Sequence, residues 1–177
     1  MIIFLIGFMG SGKSTLGKRL ARKIDYQFLD MDDEVEKQAD MTIADMFEKK
    51  GEDYFRQREN EFLQQLETKQ NLVVASGGGA PCFYNNMEIM NTKGITVYLK
   101  MTPSGLAYRL KQARGERPLL ASIDDGELED YIDNKLKIRE TFYLRSSCII
   151  KGENVKPDHV IDLVFDRQQK KETPDRE

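Results

Sequence analysis

The sequence predicts an α/β domain of three layers, built on a five-stranded parallel sheet with helices on both faces. Three observations carry that expectation. Five short apolar runs recur along the 177 residues with helical patterns between them, the alternation that strand–helix–strand crossovers produce. The first run, Ile2-Ile3-Phe4-Leu5-Ile6, is continuously apolar, as a strand covered on both faces is. It leads straight into a glycine-rich segment and then a helical pattern, the strand–loop–helix order of a phosphate-binding loop.

In chain order, the expected strands are residues 2–6, 26–29, 71–75, 95–99 and, more weakly, 148–150. A helix is expected over 13–24, following the glycine-rich loop. A second, over 32–40, opens on Asp32-Asp33-Glu34, acids suited to a helix N-terminus. Thr42-Ile43-Ala44-Asp45 resembles a capping box with Asp in place of Glu, and opens a short helix that Gly51 ends after Lys50. Residues 52–68 carry Phe55, Phe62, Leu63 and Leu66 at helical spacing. Helices over 84–92, 103–112, 124–145 and 157–169 complete the set. The charged residues 170–177, which include Pro174, are expected to be a disordered tail.

In an open parallel sheet, ligands bind beyond the carboxyl ends of the strands. That rule selects three loops. The first is Gly7-Phe8-Met9-Gly10-Ser11-Gly12-Lys13-Ser14-Thr15, which matches G-x-x-x-x-G-K-[ST], the phosphate-binding P-loop. Its glycines let backbone N–H groups approach phosphate oxygens, and the next helix aims its partly positive end at the same place. Lys13 is expected to reach the β- and γ-phosphates and Ser14 to ligate Mg²⁺.

The second loop begins Asp30-Met31-Asp32. Mg²⁺ takes oxygen ligands and keeps its waters, so Asp30 is expected to hold that shell through water, across from Ser14. Asp32 is placed farther out, where it could accept a hydrogen bond from an acceptor hydroxyl and take its proton. The competing role for each Asp is a helix N-cap. The third loop, Ser76-Gly77-Gly78-Gly79, offers backbone N–H groups to a ligand. No acid stands at the end of its strand, which argues against motor-type and transporter-type ATPases.

Charge and composition narrow the class. A net charge of −3 gives no general affinity for nucleic acid or an anionic membrane. No stretch reaches transmembrane length, and the N-terminal apolar run reads as a strand, not a signal peptide. Cys82 and Cys148 lack metal-ligand spacing and are expected to be free thiols in a reducing compartment. A cytoplasmic enzyme is therefore expected. The one histidine, His159, lies far from the motifs, so a general base is expected to be a carboxylate. Arg56, Arg117 and Arg139 carry guanidinium groups suited to carboxylate or phosphate, but spacing alone leaves them as surface residues.

Together these segments resemble the shikimate kinases, over residues 1 to about 164. The resemblance rests on the P-loop, Leu29-Asp30-Met31-Asp32, Ile43-Ala44-Asp45-Met46-Phe47, Gly51-Glu52-Asp53-Tyr54-Phe55-Arg56, Gly77-Gly78-Gly79-Ala80, Arg117-Pro118-Leu119-Leu120 and Arg139-Glu140-Thr141-Phe142-Tyr143. It implies an adenylate-kinase-like fold in a single domain over 1–169, with a substrate-binding helical region at about 32–62 and a lid at about 112–124. It implies transfer of the ATP γ-phosphoryl group to the 3-hydroxyl of shikimate, with one Mg²⁺ per subunit, in a monomer.

The resemblance also implies roles. ATP would lie on Gly10, Ser11, Gly12, Lys13, Ser14 and Thr15, with adenine between Arg109 and Pro157 and the transferring phosphate under Arg117. Asp32 would bind the shikimate hydroxyls. Arg56 and Arg139 would hold the carboxylate, Gly78 and Gly79 would donate backbone hydrogen bonds, Glu59 would orient Arg56, and Phe47 and Phe55 would line the ring pocket. Where some relatives carry a further basic residue ahead of the adenine-site proline, this chain has Glu153-Asn154-Val155-Lys156. The alternatives are another small-metabolite kinase of this fold, such as a gluconate or nucleoside-monophosphate kinase, or a nucleotide-dependent switch without an acceptor.

Overall fold

The computed structural model describes residues 1–112, 123, 124 and 126–172. Five strands form one sheet: β1 (Ile2–Ile6), β2 (Gln27–Asp30), β3 (Leu72–Ala75), β4 (Ile95–Lys100) and β5 (Cys148–Lys151). Their order is β2-β3-β1-β4-β5, and each neighbouring pair is parallel. The helices are α1 (Lys13–Lys23), α2 (Met31–Ala39), α3 (Ile43–Lys50), α4 (Glu52–Gln65), α5 (Asn86–Lys93), α6 (Pro103–Gln112), α7 (Leu128–Tyr143) and α8 (Pro157–Glu172).

Alternate residues of a strand face opposite sides, and here both sides are dry. Ile2, Phe4 and Ile6 of β1 join Val74 and Tyr98 in one core with Phe62, Met90, Leu106 and Ile132. Ile3 and Leu5 join Val73 and Val97 in a second core with Leu16, Leu20, Val160 and Val164. Helices α1 and α8 therefore cover one face of the sheet, and α4 to α7 cover the other. That is why the strands read as apolar runs without alternation.

Several boundaries shift for local reasons. Helix α2 begins at Met31, one residue early, because the side chain of Asp30 caps it by accepting from the Asp32 N–H at 3.2 Å. Helix α4 stops at Gln65 and not at 68. Leu66 turns extended there, and the Lys93 ammonium donates to the freed carbonyls of Gln64 and Leu66 at 2.5 and 2.6 Å. Helix α5 starts at Asn86, after Tyr84 adopts a left-handed φ of 48°. Helix α7 starts at Leu128 and not at 124, because Asp124 accepts from the Gly126 N–H in a turn of its own. Helix α8 continues to Glu172, so residues 170–172, expected in a disordered tail, are helical. Gln168, Gln169, Lys170 and Lys171 are good helix formers. Residues 173–177, and nearly all of the expected lid including Arg117, lie outside the described residues.

Candidate active site

The three loops chosen from the sequence meet at the carboxyl edge of β1, β2 and β3. The topology requires this, because β2-β3-β1 are adjacent parallel strands that all end on one side. Gly10 and Gly12 take φ of 81° and 91°, left-handed values that glycine adopts without strain. Lys13 opens α1 and is buried. Its ammonium donates to the carbonyls of Gly7 at 2.9 Å and Phe8 at 3.0 Å, which holds its charge inside the loop. Ser14 Oγ donates to Asp30 Oδ2 at 2.5 Å. Asp30 therefore has two partners: one carboxylate oxygen caps α2 and the other meets the P-loop hydroxyl.

A cavity of about 350 Å³ lies over this loop, lined by Gly10, Gly12, Lys13, Ser14 and Thr15 and closed on one side by Arg109. The Arg109 guanidinium donates to Ser11 O at 3.2 Å and to Glu153 O. Ser11 lines neither this cavity nor the next; its hydroxyl is buried. Pro157 also lines neither, and is buried at the start of α8.

The second cavity, of about 470 Å³, opens between α2, α3, α4 and α7. Its walls carry Phe47 and Phe55, whose ring centroids are 5.2 Å apart, together with Arg56, Glu59, Arg139 and Gly77 to Gly79. Asp32, Met9 and Gly78 line both cavities. Asp32 thus stands at the junction, with one face toward the P-loop space and one toward the second cavity.

The charges in the second cavity are unevenly matched. Arg56 is 7% exposed and Glu59 is 0% exposed. Arg56 Nη1 donates to Glu59 Oε2 at 2.8 Å, while Nε and Nη2 both donate to Glu52 Oε1. Its guanidinium also lies 4.3 Å from the Phe83 ring centroid. Arg139 lies 5.3 Å from the Phe8 ring centroid, and among the described residues it makes no ion pair. Among the described residues, three buried polar atoms of residues lining this cavity find no hydrogen-bond partner: Asp32 Oδ1, Glu59 Oε1 and Arg139 Nη1. Such atoms are costly unless a ligand or water satisfies them.

Burial sets the protonation of the two acids. It pushes Glu59 up to about 7, even though Arg56 pulls the other way. Burial also raises Asp32, aided by the neighbouring charge of Asp30 and opposed by Lys13 and Arg56.

The triple glycine has a steric reason. A Cβ on Gly77 would sit 2.5 Å from Glu59 Oε1 and 2.8 Å from Asp32 Oδ1, and one on Gly79 would sit 2.7 Å from Arg56 Nη1. None of the three glycines has a left-handed φ. Side chains here would displace the charged groups themselves.

The structure brings together every expected site residue except Arg117, which lies outside the described residues, and Ser11 and Pro157, which line neither cavity. It adds four that the sequence reading missed. Phe8 and Phe83 lie against the two arginines. Glu36 lines the second cavity while capping α3 through the Ile43 N–H at 2.7 Å. Tyr143 donates its hydroxyl to the Gly78 carbonyl. Only Tyr143 had a usable signal, one helical turn after Arg139.

Comparison with known proteins identifies the architecture. The sequence model of the family described as shikimate kinase matches residues 9–169. The chain belongs to the shikimate kinase family. A shikimate kinase of Phocaeicola vulgatus is 41% identical over 169 residues, spanning 96% of this chain and 97% of that one. One from Bacteroides thetaiotaomicron is 40% identical over 167 residues, 94% of this chain and 95% of the other. Among solved structures, the shikimate kinase of Bacteroides thetaiotaomicron superposes with a TM-score of 0.84 at 38% identity, covering 98% of this chain and 99% of that one. The shikimate kinase from Acinetobacter baumannii in complex with shikimate gives a TM-score of 0.84 at 33% identity, covering 94% of each chain. The sheet is thus the adenylate-kinase-like sheet of the shikimate kinase family, whose members are ATP-dependent kinases acting on shikimate. Among the described residues, no helix is long and apolar enough to cross a membrane.

Proposed function

We propose that this chain transfers the γ-phosphoryl group of ATP to the 3-hydroxyl of shikimate, giving shikimate 3-phosphate and ADP, and acts as a monomer. The observation that carries the reading is the junction of the two cavities at Asp32. A phosphate cradle opens on one side, and a pocket carrying aromatic rings and two arginines opens on the other. A nucleoside-monophosphate or gluconate kinase shares the cradle but need not share an arginine pair aimed at a lone carboxylate.

Phosphoryl transfer passes through a loose transition state, so positioning and charge stabilisation carry the catalysis. The P-loop N–H groups hold the β-phosphate, and Lys13 turns its ammonium from the Gly7 and Phe8 carbonyls to the phosphates. Ser14 and Asp30 fit Mg²⁺: the Ser14 hydroxyl would ligate it and the Asp30 carboxylate beside it would hold its shell through water, which suits a hard cation that keeps several waters. Mg²⁺ would there neutralise charge on the phosphate oxygens. Asp32 accepts the hydrogen bond of the attacking hydroxyl. Its raised pKa makes it a better proton acceptor late in the transfer than an ordinary carboxylate. Arg56 and Arg139 hold the shikimate carboxylate, Glu59 fixes Arg56, and Phe47 and Phe55 flank the ring. Arg109 and Pro157 flank adenine, and Arg117 meets the transferring phosphate.

The test is ADP release measured with shikimate, gluconate, AMP and no acceptor under one set of conditions. Shikimate-dependent release supports the reading. Equal release without acceptor, or preference for gluconate or AMP, overturns it.

A further inference from the structure

Three consecutive glycines make a backbone whose peptide planes rotate at little cost. In this site the Gly78–Gly79 plane is the one held from outside the loop: Gly78 lines both cavities and its carbonyl meets α7. Among the described residues, neither the Gly78 nor the Gly79 N–H makes a hydrogen bond within the protein. The Gly78 carbonyl, by contrast, accepts a bond from the Tyr143 hydroxyl. A peptide unit is planar and trans, so its C=O and N–H point opposite ways. Fixing the Gly78 oxygen toward α7 therefore fixes the Gly79 N–H away from α7.

Tyr143 is well placed to hold that plane. Its side chain is fully buried, and its ring packs on Tyr98 with centroids 5.1 Å apart. The Tyr98 hydroxyl in turn donates to Glu140 at 3.0 Å, and Lys100 pairs with the same carboxylate at 2.6 Å. Burial pushes the Tyr143 hydroxyl well above the usual phenol range, so it remains a donor at any working pH. Tyr143 also follows Arg139 by one helical turn on α7. One helix face thus carries a guanidinium into the cavity and sets the glycine plane beside it.

We propose that Tyr143 is a positioning residue for the acceptor: its hydroxyl locks the Gly78–Gly79 peptide with the Gly79 N–H aimed at the bound substrate. It touches neither reactant. Without it, the plane flips and an N–H is exchanged for a carbonyl, which repels an anionic or hydroxyl-oxygen partner. The inference rests on shikimate as acceptor.

The test is Tyr143→Phe, which keeps the ring and its contact with Tyr98 and removes one hydroxyl. Loss of one hydrogen bond predicts a rise in KM for shikimate of about threefold to tenfold, with KM for ATP within about twofold of wild type. Tyr98→Phe removes the partner hydroxyl of the same aromatic pair and is expected to leave both values within about twofold. A readout independent of turnover comes from the Gly79 amide in ¹⁵N-labelled protein without substrate. It is expected to be sharp in wild type and exchange-broadened or shifted in Tyr143→Phe. If Tyr143→Phe does not fold, a Gly79 amide already exchange-broadened in wild type overturns the proposal, and a sharp one sustains it. An unchanged KM for shikimate overturns it too, as does an equal rise for shikimate and ATP, an equal effect of Tyr98→Phe, or an unmoved Gly79 amide. Failure of the acceptor reading itself shows differently, as no shikimate-dependent turnover in wild type.

Discussion

Arg139→Ala is the cleanest probe of the carboxylate clamp, and the structure says why it is preferable to Arg56→Ala. A guanidinium carries five N–H donors. Arg56 commits three of its nitrogens to Glu52 and Glu59, so its removal strands Glu59, which is 0% exposed. Breaking a buried pair by removing one partner costs about 3–5 kcal/mol of stability, which would mix a folding defect with a binding defect. Arg139 has no ion pair among the described residues, and its Nη1 is buried without a partner. Its loss removes a contact with the Tyr143 hydroxyl but strands no charged partner, and it deprives the ligand of a charge-assisted contact. Truncating such a contact in a desolvated site costs at least about 2 kcal/mol. With no buried partner stranded, we place the loss at about 2–3.5 kcal/mol, a weakening of shikimate binding of roughly 30- to 300-fold. The assay is titration calorimetry of wild type and Arg139→Ala with shikimate and with its methyl ester, a double-mutant cycle. ATP affinity is expected to stay unchanged, and the ester to bind both proteins equally weakly. Full loss on the ester as well, or a loss under threefold on the acid, would refute the clamp.

Other outcomes follow from the same geometry. Lys13→Ala is expected to abolish transfer in a folded protein, measured by ADP release alongside thermal unfolding; normal turnover would remove Lys13 from the site. Asp32→Asn should lose most activity while retaining nucleotide affinity, and a collapse of ATP binding alone would assign Asp32 to the metal side. Glu59 makes stability depend on pH. Its folded pKa of about 7 lies above the ordinary 4.5, so the folded state binds the extra proton between those values. Its contribution is therefore fully present below pH 4.5 and is lost as pH rises through 7, by up to about 3 kcal/mol. Chemical denaturation of wild type and Glu59→Gln from pH 5 to 8 should show wild type losing stability relative to the variant as pH rises to about 7, with a constant difference above it; a pH-independent difference would contradict the burial-driven shift.

How much of this was legible in the sequence depended on whether the chemistry was local. The P-loop was readable because loop, lysine and serine act within nine consecutive residues whose spacing is fixed by the phosphate they hold. Asp30 was readable as a cap of α2, which the structure shows, and as an acid lying across from Ser14, to which it is hydrogen-bonded. The arginines were not readable from spacing. Arg56 and Arg139 meet only because α4 and α7 pack on the same face of the sheet, and it was family resemblance that singled them out. The burial of Glu59 was equally hidden, since a Glu on an exposed-looking helix gives no sign that a glycine loop will close over it. The glycine triplet was recognised as a close approach, but its cause is lateral. Gly77 and Gly79 make room for Glu59, Asp32 and Arg56, residues distant in sequence. Boundaries failed where tertiary contacts set them, as at the end of α4, where Lys93 from α5 takes the last carbonyls.

The most direct measurement of the central claim is the position of the transferred phosphate. ATP and shikimate are incubated with the protein and Mg²⁺, and the product is examined by ¹H–³¹P correlation NMR. A new phosphate ester whose phosphorus couples to the proton on carbon 3 of the shikimate ring is the expected result. Coupling at another carbon, or inorganic phosphate as the sole new phosphorus species beside ADP, would contradict an Asp32-directed transfer to the 3-hydroxyl.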